Sequence, residues 1–322
     1  MIQKRHIAPL LAGFMLLAAC NKEQEPVLAD TDGVPAGHLK LSVESPRPAN
    51  GSKPLLNGLY TYWKNLDRVY VNGVESRVRV ASSETYIENY IQAPAEGEYY
   101  IATTFPTNMT QQEYAIPSGG TTYPASFPYS YNYSRTSDGK VDLGSSIPMV
   151  AVAERTASEL TFKHLTATIN VRITNGINSN FRVSSVEVSS NAQLSENRDV
   201  TFYRDGRVEV SSTEGQPLTN TGRHRKVTIN FPSNTDIAYN GTLNVPVPIL
   251  PVVSGKTLTI TATGTFIGGA SNYDGVVKSF TKTITLTHPI NRNDYWTGSL
   301  TQINTINLNT GEGFSSGGSS TI

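Results

Sequence analysis

The chain has 322 residues, and its 26 basic and 26 acidic side chains balance, so no global field points it at nucleic acid. Charged residues make up only 16% of it, below the common share of about a quarter; Thr, Ser, Asn and Tyr supply the polarity, a mixture that suits strands and extracytoplasmic surfaces. A single cysteine excludes an internal disulfide and a cysteine metal cluster.

The first predicted element is a secretory signal over residues 1–19. Lys4 and Arg5 precede an apolar run from Ile7 to Leu17, interrupted by Pro9 and Gly13, and Ala18-Ala19 follow. A basic start, a short apolar centre and small residues are the parts of such a signal, and the run is too short for a comfortable membrane span. Leu17-Ala18-Ala19-Cys20 resembles the lipobox of bacterial lipoproteins. That resemblance implies a diacylglyceryl group on the Cys20 thiol and cleavage that leaves Cys20 as the first residue. Stable anchoring then takes several acyl chains, since each buried methylene contributes only about 0.8 kcal/mol. Residues 20–36 are polar and punctuated by Pro and Gly, without a sustained period, and read as a lipidated cysteine on a flexible tether. Its acidic residues resemble surface-export signals of lipoproteins in Bacteroidota.

From residue 37 the hydrophobic period is two almost everywhere. In "LKLSVES" Leu39, Leu41 and Val43 alternate with polar residues. In "TATINVRIT" Ala167, Ile169, Val171 and Ile173 take one face while Thr168, Asn170 and Arg172 take the other. "SRVRV", "SSVEVSS", "GRVEV", "KVTINF", "TLTITA" and "KTITLT" repeat the pattern of a half-buried strand. Hairpin dipeptides lie between them: Asn72-Gly73, Asp138-Gly139, Asp205-Gly206 and Asp274-Gly275. "FYRDGRVEV" is the strongest hairpin signal, and only "SETYIENYIQ" suggests a short helix. The expected fold is all-β, with two antiparallel β-sandwich domains in tandem. The turn-rich stretch "TNGINSN" divides them into an N-terminal domain over 37–175 and a C-terminal domain over 176–310, with a Gly/Ser-rich tail over 311–322.

"SSIPMVAVAERTASELTFKHLTATINVRITN" resembles the fimbrillins of Bacteroidota, the type V pilins and their Mfa-like relatives. "YWKNLDRVYVNG", "YYIATTFP" and "INRNDYWTGSLTQINTINL" are similar to further stretches of that family, in the same order. The resemblance implies two transthyretin-like β-sandwich domains, lipidation in the outer membrane, surface exposure and a place in fimbriae. In polymerising members a trypsin-like protease cuts after an early Arg or Lys and removes the first strand. A C-terminal strand of another subunit then fills the gap, which satisfies a row of main-chain hydrogen bonds at once. Here Arg47 is the candidate maturation site, but Pro48 follows it and hinders such a cut. The end, "NTGEGFSSGGSSTI", lacks the alternation of a donor strand. Both departures favour an accessory, anchor or tip subunit over a stalk subunit.

For chemistry the sequence offers little. His38, His164, His224 and His288 lie far apart, and His6 falls in the signal. His164 reads as a histidine held inside the fold. "ADTDG" begins like a calcium loop but lacks its later ligands. "GRHRK" is a short basic run without interleaved aromatics, better suited to a solvated turn than to nucleic acid. No nucleophile elbow or phosphate loop is present, so the expectation is a protein that is not an enzyme and needs no metal or cofactor. One segment could contact a partner: "YAIPSGGTTYPASFPYSYNYSR" carries Tyr114, Tyr123, Phe127, Tyr129, Tyr131 and Tyr133. Aromatic faces on a loop stack on sugars or proteins, although Tyr129, Tyr131 and Tyr133 also alternate like one side of a strand. The expected role is a fimbrillin-like surface lipoprotein in adhesion, with the outer membrane, other fimbrial subunits and a host or bacterial surface glycan or protein as partners. The alternative is a surface glycan-binding lipoprotein.

Overall fold

The computed structural model describes residues 34, 37–43, 47–48, 63, 65–81, 84–88, 92–107, 109, 115–135, 141–143, 147–211, 224–268, 274–292, 294–296, 305–308 and 319–321. Among these the chain is all-β, with 24 strands and no helix.

In chain order the strands begin with β1 (Lys40–Val43), β2 (Arg47–Pro48), β3 (Arg68–Val71), β4 (Val74–Val80), β5 (Thr85–Ile87) and β6 (Tyr99–Thr103). Next come β7 (Thr121–Ala125), β8 (Ser130–Asn132), β9 (Ser134–Arg135), β10 (Val141–Asp142), β11 (Met149–Glu154) and β12 (Glu159–His164). The middle of the chain supplies β13 (Ala167–Asn175), β14 (Asn180–Ser190), β15 (Arg198–Phe202), β16 (Val208–Val210), β17 (Lys226–Asn230) and β18 (Asp236–Ile237). The last are β19 (Thr242–Ile249), β20 (Thr257–Ile267), β21 (Val277–Thr285), β22 (Asp294–Trp296), β23 (Thr305–Leu308) and β24 (Ser319–Thr321). The short helix expected over "SETYIENYIQ" is absent from its described part. Thr85–Ile87 is strand, because Tyr86 and Ile87 bury their side chains while β5 pairs with both β1 and β4.

Where the sequence suggests a sandwich in the first half, seven strands instead close a barrel in the order β1-β12-β11-β6-β3-β4-β5. Closure depends on β1. It pairs in parallel with β12, Lys40 to Val43 opposite Glu159 to Phe162, and antiparallel with β5. An N-terminal strand thus joins two edges that local alternation leaves open, and it removes both from solvent. The barrel core includes Leu39, Leu41, Val69, Val71, Tyr100 and Phe162. Its β3–β4 hairpin turns at Asn72-Gly73, where φ is 48° and 75°, the paired positive values of a two-residue hairpin turn.

A second core lies between two further sheets. One runs β19-β13-β22-β2, with β23 also on β13; the other runs β24-β21-β20-β14-β17-β8, with β18 also on β14. Ile169, Val171 and Ile173 of β13 share this core with Val186 and Val188 of β14 and Leu258 and Ile260 of β20. At position 175/176, where the sequence suggests a division, Asn175 is buried at the corner between β13 and β14 and Gly176 beside it is exposed.

A three-stranded sheet, β16-β15-β7, joins the two cores. Its Tyr123, Ala125, Val200, Phe202 and Val208 cluster with Ile101 and Val150, from the barrel strands β6 and β11. Two side chains reinforce the junction: Lys163 Nζ donates to the Gly206 carbonyl at 2.7 Å, and Arg292 Nη1 donates to the His164 carbonyl at 3.0 Å.

Candidate functional site

The residues that could carry function fall in three places: Cys20, the first strand with Arg47, and the tyrosine-rich segment. Cys20 and Tyr114 lie outside the described residues.

The first strand is built into the barrel. Leu39 and Leu41 are buried, and Val43 packs on the same core. On the outside, Ser42 Oγ donates to Thr161 Oγ1 at 3.1 Å. Lys40 Nζ lies 2.8 Å from a Glu84 carboxylate oxygen, and the hydrogen bond to that carboxylate raises the Lys40 pKa above its ordinary value. Just ahead of the strand, the His38 ring meets Tyr86 edge-on at 5.7 Å, with Nε2 3.0 Å from the Glu88 carbonyl.

Arg47 belongs to another sheet altogether. Arg47 stands opposite Asp294, and Pro48 opposite Tyr295, in the short parallel pair of β2 with β22. A protease acts on chain it can draw out as a free extended segment, so a cut after Arg47 would meet backbone that is already paired. The other end of the chain is also engaged. In "SLTQINTINL", Leu300, Ile303, Ile306 and Leu308 partly alternate, which makes it a better candidate donor strand than the tail; its Thr305–Leu308 forms β23 on the chain's own β13, with Ile306 and Leu308 buried. In the tail, Ser319–Thr321 forms β24 against Thr283–Thr285 of β21.

The tyrosine segment folds mostly inward. Tyr123 on β7 packs against Phe202 at 5.8 Å between ring centroids. Phe127 is buried in that same cluster, and its carbonyl accepts from the Glu196 amide at 2.8 Å. Tyr131 on β8 is 1% exposed, and burial pushes its phenol pKa up. Tyr133 packs on Phe231 at 4.5 Å and accepts from Arg135 Nε at 2.9 Å. Among the described aromatics of the segment, only Tyr129 is exposed, at 44%. A sugar-stacking platform needs open ring faces, so of the five described aromatics Tyr129 alone can offer one. Tyr239, in the turn after β18, is 51% exposed; the sequence does not single it out, because a lone aromatic in a turn carries no pattern.

The histidines do not converge. His164 is buried at the end of β12, His224 pairs with Glu196, and Thr287 Oγ1 meets His288 Nδ1 at 3.0 Å. Among the described residues no group of three or more His, Cys, Asp or Glu could hold a metal ion. Of the basic run, Lys226 is neutralised by Glu187 across β14 and β17 at 2.9 Å.

No protein-family profile and no curated protein sequence matches the chain. Several solved structures are similar to it. A candidate cell adhesion protein from Bacteroides uniformis is 13% identical, with TM-score 0.35, over 78% of this chain and 98% of that one. Another from Bacteroides fragilis is 12% identical, with TM-score 0.37, over 80% and 91% of the two chains. A third, from Bacteroides thetaiotaomicron, is 10% identical, with TM-score 0.31, over 84% and 93%.

Proposed function

We propose that the chain is a non-enzymatic cell-surface protein of fimbrillin type, lipid-anchored in the outer membrane through Cys20. It acts in adhesion as an accessory, anchor or tip subunit rather than as a repeating stalk unit. On this reading the two sheets around the second core form a β-sandwich, and its partners are other fimbrial subunits and a surface glycan or protein. The anchor rests on the lipobox-like Leu17 to Cys20. The observation that carries the non-stalk assignment is the place of β1, paired on both sides and closing the barrel.

Burying Leu39 and Leu41 fully is worth roughly 1.5–3 kcal/mol each. Losing both with the strand would take a large part of a stability that is commonly about 5–15 kcal/mol. Removal would be tolerable only if another strand arrived, and the chain's own candidate donor is engaged as β23.

The test is to label cells with a fatty acid, treat the displayed protein with an Arg-specific protease and sequence its N-terminus. Label on the wild type, none on Cys20→Ala, and a β1 that stays in the product are expected. A new N-terminus between Pro48 and Lys53, with filaments in the electron microscope, would overturn the non-stalk assignment. Label on Cys20→Ala would overturn the anchor. A glycan-binding reading keeps one support, the open ring of Tyr129; polysaccharide pull-down that is lost in Tyr129→Ala would favour it.

A further inference from the structure

The first strand and a late strand of the fold share one geometry. β1 runs parallel to β12 over four residue pairs, Lys40↔Glu159 to Val43↔Phe162. β23 runs parallel to β13, also over four pairs, Arg172↔Thr305 to Asn175↔Leu308. β12 and β13 follow each other in the chain, joined only by Leu165 and Thr166, both buried. Residues 159–175, bent at Leu165 and Thr166, therefore carry both parallel pairs, with the first strand alongside their beginning and a late strand alongside their end.

In a parallel pair the starts of both strands lie together, and the ladder bonds are evenly spaced along them. Tension applied ahead of Lys40 draws β1 backward along β12, and tension applied beyond Leu308 draws β23 forward along β13. The part of the pull that runs along the strands loads each ladder along its length, so the ladder's bonds share that force and fail together. A pull across a ladder would instead open them one at a time. Buried side chains oppose the same sliding: Leu41 and Leu160 at the first ladder, Ile306 and Ile173 at the second. The Lys40 amide also donates to the Ser158 carbonyl at 2.9 Å, and the Gly176 amide to the Leu308 carbonyl at 3.0 Å.

We propose that the fold is a tension-bearing link, in which force enters through β1, crosses to β12, passes along β13 and leaves through β23. The path applies to tension ahead of β1 and directly behind β23; a load beyond β24 would meet that strand's short pair with β21 first.

Force spectroscopy on the full chain tests it. Cys20→Ser leaves handles only at Val34→Cys and Asn309→Cys, ahead of β1 and behind β23. Held at constant force, the chain should rupture first in its main event, with no earlier low-force release of the segment ahead of β3. Leu41→Ala and Ile306→Ala should each shorten the lifetime under load by about tenfold, because each removes packing that forced unfolding must break. Phe266→Leu, in the second core but in neither ladder, should shorten it much less than its loss of equilibrium stability implies. Early low-force release of β1 or β23 would overturn the proposal, as would Phe266→Leu weakening the link as much as Leu41→Ala. If either alanine variant does not fold, the rupture order of the wild type decides alone.

Discussion

Asn175 turns the corner between β13 and β14 with no exposed surface. Its Nδ2 donates to the Ser179 carbonyl at 2.7 Å and the Ile237 carbonyl at 2.8 Å, while its Oδ1 accepts from the Ile177 amide at 3.0 Å. In sequence this asparagine stands in a turn-rich stretch that reads as a boundary, since polar turn formers look alike whether they face water or their own backbone. Asn175→Ala leaves three buried backbone groups to find other partners, each worth about 1–3 kcal/mol when unmet. A drop in unfolding free energy of at least about 2 kcal/mol in urea melts is expected. Gly264 is a second such position. A Cβ there would collide with the Arg182 carbonyl and lie 2.6 Å from the Phe181 ring, opposite the register shift between Val183 and Ser185. Gly264→Ala should cost at least the roughly 1–3 kcal/mol common for overpacking, because backbone must move. At the surface, Arg182 grips Asp236 with two hydrogen bonds, of 2.7 and 3.0 Å. That grip holds the Asp236 carboxyl below its ordinary pKa, so its stabilising effect is present above the unfolded value and is lost as pH falls. The small stability gap between wild type and Asp236→Asn should be seen at neutral pH and close below about pH 3.9.

Single elements were more legible than single residues. The alternation in "TATINVRIT" places Ala167, Ile169, Val171 and Ile173 on one face, and all four are 0% exposed. The hairpin signal in "FYRDGRVEV" corresponds to β15 and β16, with Phe202 opposite Val208 and Gly206 at φ 76°. Local pattern fails where an element's partner is distant. Nothing in "HLKLSVES" shows that β1 will lie parallel to β12, more than a hundred residues on, and that pairing turns an expected sandwich into a barrel. The tyrosine segment shows the same limit. Alternation at Tyr129, Tyr131 and Tyr133 suggests a strand side, yet Tyr129 stays open while the other two are buried, because β8 begins only at Ser130. Tyr131→Ala should therefore lower stability by about 3–5 kcal/mol, the range for large aromatic truncations. Tyr129→Ala should stay within about 0.5 kcal/mol of wild type. Equal urea midpoints for the two variants would contradict this division of the segment.

Across the whole molecule, the decisive feature is that early and late strands pair with each other. β7 is hydrogen-bonded to β15 from Thr121↔Phe202 to Ala125↔Arg198, and β8 lies on β17. A chain divided simply into halves would let a barrel and a second core unfold separately. Here the sheet β16-β15-β7 packs on Ile101 and Val150 of the barrel and is continuous in sequence with the second core. The free ends of the large sheets are also guarded. β19, at one edge, carries Pro246 and Pro248, which have no N–H to offer a further strand. On β21, ahead of its short pair with β24 at Thr283–Thr285, Lys278 and Lys282 share the face of the buried Ile284, an inward charge pattern that discourages added strands. Trp63, stacked edge-on against Phe162 at 5.0 Å, reports on the barrel. In a Trp296→Phe background its fluorescence should melt together with the far-ultraviolet signal of the whole fold, in one urea transition. Phe202→Ala removes about 3–5 kcal/mol of packing from the joining sheet while leaving both cores' own side chains in place. The two signals should then separate, with the barrel and the second core melting at different urea concentrations. Separate transitions already present in the parent protein, or signals that still coincide in Phe202→Ala, would show that the joining sheet does not couple the two cores.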